Sequence, residues 1–172
     1  MTMFLPLNRS FLPIIDNNAR MLILGSMPGV KSLEQQQYYA HSRNAFWPIM
    51  SALFEVEREL DYDKRCQLLK DNFIAVWDVL QACQRQGSLD KDINTSSMIA
   101  NDFKLLLQQH PYITKIFFNG AKAEQVFKRL VVPTLTEQQR TIVRLRLPST
   151  SPAHASSSFD NKLLVWQHAL IN

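Results

Sequence analysis

Four short apolar runs decide what this chain can fold into: Met21-Leu22-Ile23-Leu24, Phe73-Ile74-Ala75-Val76, Lys115-Ile116-Phe117-Phe118 and Thr141-Ile142-Val143-Arg144-Leu145. Each has the length of a strand, and their apolar residues follow one another instead of alternating with polar ones, the pattern of strands buried on both faces. Helical periods separate them. Phe46, Trp47, Ile49, Met50, Leu53 and Phe54 recur at spacings of three and four, as do Phe103, Leu106 and Leu107, and then Ala123, Val126, Phe127 and Leu130. A last helix carries Leu163, Leu164 and Leu170. Strands alternating with helices predict a three-layer α/β/α sandwich around a mainly parallel four-stranded sheet, within one domain spanning residues 1–172. The pattern leaves the strand order open, and Pro133 to Gln139 reads as a surface excursion before the fourth strand.

In such folds ligands bind at the carboxyl edge of the sheet, so the residues after each strand matter. The first run leads into Gly25-Ser26-Met27-Pro28-Gly29 and the second into Trp77-Asp78. The third leads into Asn119-Gly120 and the fourth into Pro148-Ser149-Thr150-Ser151-Pro152. Small, polar, turn-forming residues therefore converge on one rim, the expected place of a site.

The first of these loops has two glycines and a proline but not the spelling of a phosphate-binding or dinucleotide loop. It is either a plain strand-to-helix turn or a backbone cradle that lets a ligand approach closely. Ser32-Leu33-Glu34-Gln35 has the spacing of a capping box opening a short helix. Tyr38-Tyr39-Ala40-His41-Ser42-Arg43-Asn44-Ala45-Phe46-Trp47 is the densest group of aromatic and hydrogen-bonding side chains. Asn44 stands where a helix N-cap belongs, and Phe46 and Trp47 suit a core as well as a site. Asp78 is the one acid placed directly after a strand, suited to a cap, an ion pair or a ligand contact. Asn119 either contacts a ligand or shapes its turn.

Composition narrows the chemistry. Cys66 and Cys83 are too few and too far apart for a disulfide framework, a zinc site or an iron–sulfur cluster, and read as reduced thiols in or near the core. No metal or cofactor is expected. The net charge of +4 permits nucleic-acid binding without demanding it, and no Lys/Arg tail is present, so a nucleic-acid contact would use a folded surface. No apolar run approaches a membrane span, and Met1 to Asn8 lacks the pattern of a secretory leader. The expectation is a monomer in the cytoplasm.

Gly25-Ser26-Met27-Pro28-Gly29, Asn44-Ala45-Phe46-Trp47 and Leu147-Pro148-Ser149-Thr150-Ser151-Pro152-Ala153 resemble the signature motifs of the uracil-DNA glycosylase superfamily, in order, and the resemblance runs from about Leu22 to Ala155. The spelling Tyr-Tyr-Ala-His before Arg-Asn-Ala-Phe-Trp is most similar to the hypoxanthine (deoxyinosine) DNA glycosylase branch. Mismatch-specific uracil/thymine glycosylases share a similar Asn-x-Phe-Trp segment and an Asn-Gly like that of Asn119-Gly120. The resemblance implies a bacterial or archaeal base-excision-repair enzyme that flips a deaminated base out of DNA and hydrolyses its N-glycosidic bond. The abasic site left behind would pass to downstream repair enzymes.

By resemblance, catalytic weight falls on Asn44, orienting water through its amide. Base contacts fall on the first loop (Ser26, Met27, Pro28) and on Phe46 by stacking, Asp78 and Asn119. Contacts to the DNA backbone fall on Gly29, Ser149, Thr150, Ser151, Pro152 and Ala153, through hydroxyls and main-chain amides, with His154 filling the vacated stack. Two positions depart from many relatives: Ser26 stands where Asp or Asn positions the attacking water, and Leu147 where uracil-specific members carry His. These departures weaken the expectation of efficient uracil removal and are compatible with hypoxanthine as the substrate. The alternatives are a glycosylase acting mainly on uracil or xanthine, and an inactive nucleic-acid or nucleoside-binding module on the same fold. A serine hydrolase using Ser26, Ser149 or Ser151 is the remaining alternative, without a Gly-x-Ser-x-Gly elbow to support it.

Overall fold

The computed structural model describes residues 5–172; Met1 to Phe4, within the segment read for a leader, lie outside it. In chain order the elements are β1 (Leu7–Arg9), β2 (Met21–Gly25), α1 (Val30–Gln35), α2 (Phe46–Leu53), α3 (Tyr62–Asp71), β3 (Ile74–Asp78), β4 (Leu80–Gln84), β5 (Ile99–Ala100), α4 (Phe103–Gln109), β6 (Lys115–Asn119), α5 (Ala121–Val126), α6 (Glu137–Arg140), β7 (Val143–Leu147) and α7 (Phe159–Ile171).

Four strands form a wholly parallel sheet in the order β3-β2-β6-β7. The two-residue period of a strand explains why its runs are continuously apolar. Leu22, Leu24, Ala75, Ile116 and Phe118 point into one core with Phe103 of α4 and Ala123 and Val126 of α5. Ile23, Ile74, Val76 and Phe117 point into the other, against Phe46, Ile49 and Met50 of α2 and Trp166 and Leu170 of α7. Both faces are covered, giving the α/β/α sandwich. Cys83 is buried in the first core and Cys66 packs against the second; both are free thiols. No helix among the described residues is long and apolar enough to cross a membrane.

Several local expectations need correction. The second strand starts one residue later than its apolar run, because Phe73 adopts a left-handed φ of 61° and turns its ring outward. There the Arg20 guanidinium stacks over it, 4.7 Å from the ring centroid. The fourth strand covers Val143–Leu147, not Thr141–Leu145, because Thr141 ends α6. As a sheet edge it leaves Val143 and Leu145 exposed. The excursion before it is structured: a capping box at Thr136 and Gln139 opens α6, and Leu135 is buried in the core. The capping box expected at Ser32 does not form. Helix α1 starts at Val30 after Gly29, and Ser32 Oγ faces inward to accept from the Ala40 amide at 3.1 Å.

A second sheet, β1-β4-β5, is antiparallel and has no counterpart in the apolar pattern. Only Val79 separates β3 from β4. The chain leaves the large sheet there while the Val79 and Leu80 amides donate to the Gly25 and Ser26 carbonyls at 2.8 and 3.0 Å. The small sheet thereby launches the segment from Arg85 to Asp92 across the carboxyl edge of β2.

Candidate active site

The loops after β2, β3, β6 and β7 enclose a cavity of about 830 Å³ at the carboxyl edge of the large sheet. It is lined by Ser26, Met27, Pro28, Gly29, Asn44, Asp78, Asn119, Ser149, Thr150, Ser151, Pro152, Ala153 and His154. Every residue expected at the site is there except Phe46.

Gly25 leaves room at the cavity floor. A Cβ at this position would overlap Asp78 Oδ1 and lie 3.3 Å from the Tyr39 hydroxyl. Asp78 and Tyr39 therefore close on the backbone of β2 from two sides. Asp78 Oδ2 and the Tyr39 hydroxyl are buried and have no hydrogen-bond partner among the described residues. Unmade hydrogen bonds of this kind cost roughly 1–3 kcal/mol each. Burial, and then the Asp90 carboxylate, push the Asp78 carboxyl up to about 7, against the opposing pull of Arg85. Burial and the neighbouring Asp78 raise the Tyr39 phenol well above its ordinary value, so it stays a hydrogen-bond donor.

Phe46 is fully buried. Its ring lies under Tyr39, stacked with centroids 4.1 Å apart, and edge-on to Trp47 and Trp166. The expectation that Phe46 itself stacks on a base is corrected: it braces Tyr39, which lines the cavity. Asn44 lies in the bend before α2. Its Oδ1 accepts from the Phe46 amide at 3.0 Å, an Asx turn that satisfies a first-turn N–H from one residue ahead of the capping position, which Ala45 occupies.

The loop after β7 is tied to its neighbours at Thr150. The Thr150 amide donates to Asn119 Oδ1 at 2.9 Å, and Asn119 Nδ2 donates to Thr150 Oγ1 at 2.8 Å. The Thr150 carbonyl accepts from the Ala45 amide at 2.9 Å. Thr150 is 1% exposed and cannot serve as a phosphate donor, so that expectation fails, and Asn119 is committed to shaping the loop. Gly120, at φ 96°, passes so close to Ser149 that a Cβ there would lie 3.0 Å from Ser149 Cβ. The amides of Ser151 and Ala153 are also committed, to Ser149 Oγ and Ser151 Oγ at 3.2 Å each. The His154 amide donates to the Ser151 carbonyl at 3.0 Å. The two serine hydroxyls keep their own hydrogens to donate. Pro152 and Ala153 stand exposed at its tip.

Helix α7 anchors both ends of this loop. Trp166 Nε1 donates to the Pro148 carbonyl at 3.0 Å, and the buried Lys162 ammonium donates to the His154 carbonyl at 2.8 Å. Burial pulls the Lys162 amine below its ordinary value. Replacing Lys162 with methionine keeps the aliphatic stem and removes a buried cation. We expect a melting temperature at or above that of the wild type, with affinity for abasic-site DNA weakened about tenfold, since a charged hydrogen bond contributes roughly 1.5–3 kcal/mol. Unchanged affinity would show that the His154 end of the loop needs no such anchor.

Other contributors were not legible. Lys31, Arg43, Lys91 and Lys122 stand round the cavity, a cationic rim assembled from four separate segments. Arg85 is buried and donates to the Pro28, Met27 and Gly87 carbonyls, clamping the 85–92 segment onto the first loop. Asp90 receives the Ser26 hydroxyl at 2.5 Å. Leu147, which the resemblance sets where uracil-specific members would carry His, is buried core at the end of β7. The described residues contain no grouping of three or more His, Cys, Asp or Glu suited to a metal ion.

The uracil DNA glycosylase superfamily model matches residues 12–170. A hypoxanthine DNA glycosylase of Methanosarcina acetivorans is 39% identical over 118 residues, 68% of this chain and 73% of that protein. One of Methanosarcina barkeri is 37% identical over 116 residues, 67% of this chain and 72% of that protein. The solution NMR structure of a "putative Uracil DNA glycosylase" from Methanosarcina acetivorans superposes with a TM-score of 0.76 at 32% identity, over 95% of this chain and 98% of that one. The family model and the superposed structure each cover nearly the whole length: the chain belongs to the uracil DNA glycosylase superfamily and is a DNA N-glycosylase.

Proposed function

We propose that the chain removes hypoxanthine from DNA, with Asn44 as the catalytic amide. The observation that carries this reading is the pair of unpartnered groups at the cavity floor, Asp78 Oδ2 and the Tyr39 hydroxyl. One accepts and the other donates. A flipped hypoxanthine presents the complement, an N1–H donor beside an O6 acceptor, whereas adenine presents an acceptor N1 beside a donor amine. A base that pairs with both groups relieves two buried vacancies, and one that pairs with neither leaves them. Uracil shares the N–H and carbonyl edge. The buried Leu147, which offers no hydrogen bond to a departing pyrimidine, and the hypoxanthine glycosylases of the two Methanosarcina species support the purine.

The reaction breaks the bond between C1′ and the base nitrogen, and its electron pair leaves with the base. Flipping costs roughly a few kcal/mol, offset by phosphate contacts from the cationic rim and the Ser149 and Ser151 hydroxyls. Asn44 cannot take a proton at neutral pH. It acts by holding water with a fixed dipole, its orientation set by the bond from Phe46 to Oδ1.

The test is single-turnover excision from labelled duplexes carrying hypoxanthine, xanthine, uracil or adenine, run in excess chelator. Hypoxanthine is expected to leave fastest, at a rate the chelator does not change. Faster release of xanthine or uracil, or activity restored only by a metal, would overturn the reading.

A further inference from the structure

The 85–92 segment crosses the sheet edge and delivers a carboxylate to Ser26. Ser26 is nearly buried, its backbone held by the Leu80 amide. Its hydroxyl hydrogen is donated to Asp90 Oδ1 at 2.5 Å. A hydroxyl so committed offers only lone pairs to other partners, and Ser26 lines the cavity. We propose that Ser26 and Asp90 form a proton relay for the attacking water, with Ser26 as the catalytic residue touching water and Asp90 as the positioning residue and proton acceptor behind it.

The relay balances as follows. Water donates one O–H to Ser26 Oγ. As the C1′–N bond breaks and its electron pair departs with the base, the water oxygen bonds to C1′. Its proton passes to Ser26 Oγ, the serine proton passes to Asp90, and the sugar keeps a hydroxyl. Asn44 and the relay divide the work: Asn44 contributes a fixed dipole but no basic group, and Asp90 contributes the basic group through Ser26.

Holding the segment in place does not require the bond between Ser26 and Asp90. Arg85 clamps it to the Met27 and Pro28 carbonyls, and Ser88 Oγ accepts from the Val30 amide at 2.9 Å. Ser26 can therefore lose its partner while the first loop stays docked. The relay rests on the assignment of glycosylase activity but not on the choice of base.

The decisive variant is Asp90→Asn, whose amide oxygen can still accept from Ser26 but cannot take the proton. On whichever base the wild type removes fastest, single-turnover excision is expected to fall about 100-fold, with abasic-DNA affinity and melting temperature unchanged. Ser26→Ala should fall to the same level, and combining it with Asp90→Asn should cost nothing more. If Asp90→Asn excises within about threefold of the wild type, the bond only pins a loop and the relay is wrong. If Asp90→Asn also loses DNA affinity, the double variant Ser26→Asp, Asp90→Asn decides, because it places a carboxylate where the water is held. Recovery of at least tenfold over Asp90→Asn supports the relay, and no recovery overturns it. A wild-type preference for uracil or xanthine would sink the hypoxanthine reading and leave this test intact, whereas a wild type that removes no base overturns both.

Discussion

Replacing Asn44 with serine is expected to abolish most single-turnover excision while leaving the fold and the binding of abasic-site DNA almost unchanged. Asn44 Oδ1 holds the Phe46 amide, so the side chain has a structural duty that must be separated from its catalytic one. Serine and aspartate both keep a short oxygen able to accept from that amide, and each should cost only a few tenths of a kcal/mol in stability. Alanine removes both functions and should lower the melting temperature as well. Serine brings no amide and cannot reach where the asparagine is proposed to hold water, so the excision rate should fall by about 100-fold or more, as when one preorganised donor is removed from other enzymes. A fully active Asn44→Ser variant would mean that Asn44 is a turn residue, and the chemistry would then rest on Ser26 and its neighbours.

Asp78→Asn should show two effects at once. It replaces an acceptor at the cavity floor with an amide of the same size. Excision of hypoxanthine should drop by about 10- to 100-fold, the equivalent of roughly 1.5–3 kcal/mol for one charge-assisted hydrogen bond. Any excision of uracil, which presents the same N–H, should drop with it. Excision that does not fall would show that Asp78 does not read the base. The second effect is on stability. Burial raises the Asp78 carboxyl from 3.8 to about 7, so the folded chain binds its proton more tightly than the unfolded one. The stability this confers is fully present below about pH 4 and is lost as pH rises through about 7, with a span on the order of 4 kcal/mol. Asparagine does not titrate. Thermal melts should therefore show the variant gaining on the wild type from pH 4 to pH 8, and parallel melting curves across that range would contradict the burial of an ionisable group there.

Three strands of the large sheet, β2, β3 and β6, could be read from the chain because burial on both faces makes them nearly continuous in apolar residues. The fourth, β7, is an edge strand reading Val-Arg-Leu-Arg-Leu with Val143 and Leu145 exposed, and it starts two residues later than its run. The small sheet could not be read. Its strands β1 and β5 have three and two residues, too few for any period to emerge, and β4 mixes buried and exposed positions without a clean alternation. At the site, the motifs located the right loops but not the direction of individual side chains. Ser32 has the spacing of a capping box and spends its hydroxyl on Ala40 instead. Thr150 looks like a phosphate donor in a Ser/Thr-rich loop and is buried by three hydrogen bonds. Phe46 is an aromatic in a signature segment, and only packing shows that Tyr39 covers it. Asp90 lies in Leu89-Asp90-Lys91-Asp92, a charged stretch with the composition of an ordinary solvated turn. Its approach to Ser26 depends on the small sheet and on Arg85, both of which are tertiary facts.

The three bonds at Thr150 have a mechanical consequence. They join the bend before α2, the end of β6 and the loop after β7, three points spread from Ala45 through Asn119 to Thr150 in the chain, into one stiff piece. Asn44, Asn119 and the Ser149 and Ser151 hydroxyls then cannot be adjusted independently. On the proposed roles, a phosphate that tugs on the serines would also shift the asparagine at the reacting bond, so grip on the strand and alignment of the chemistry would be geared together.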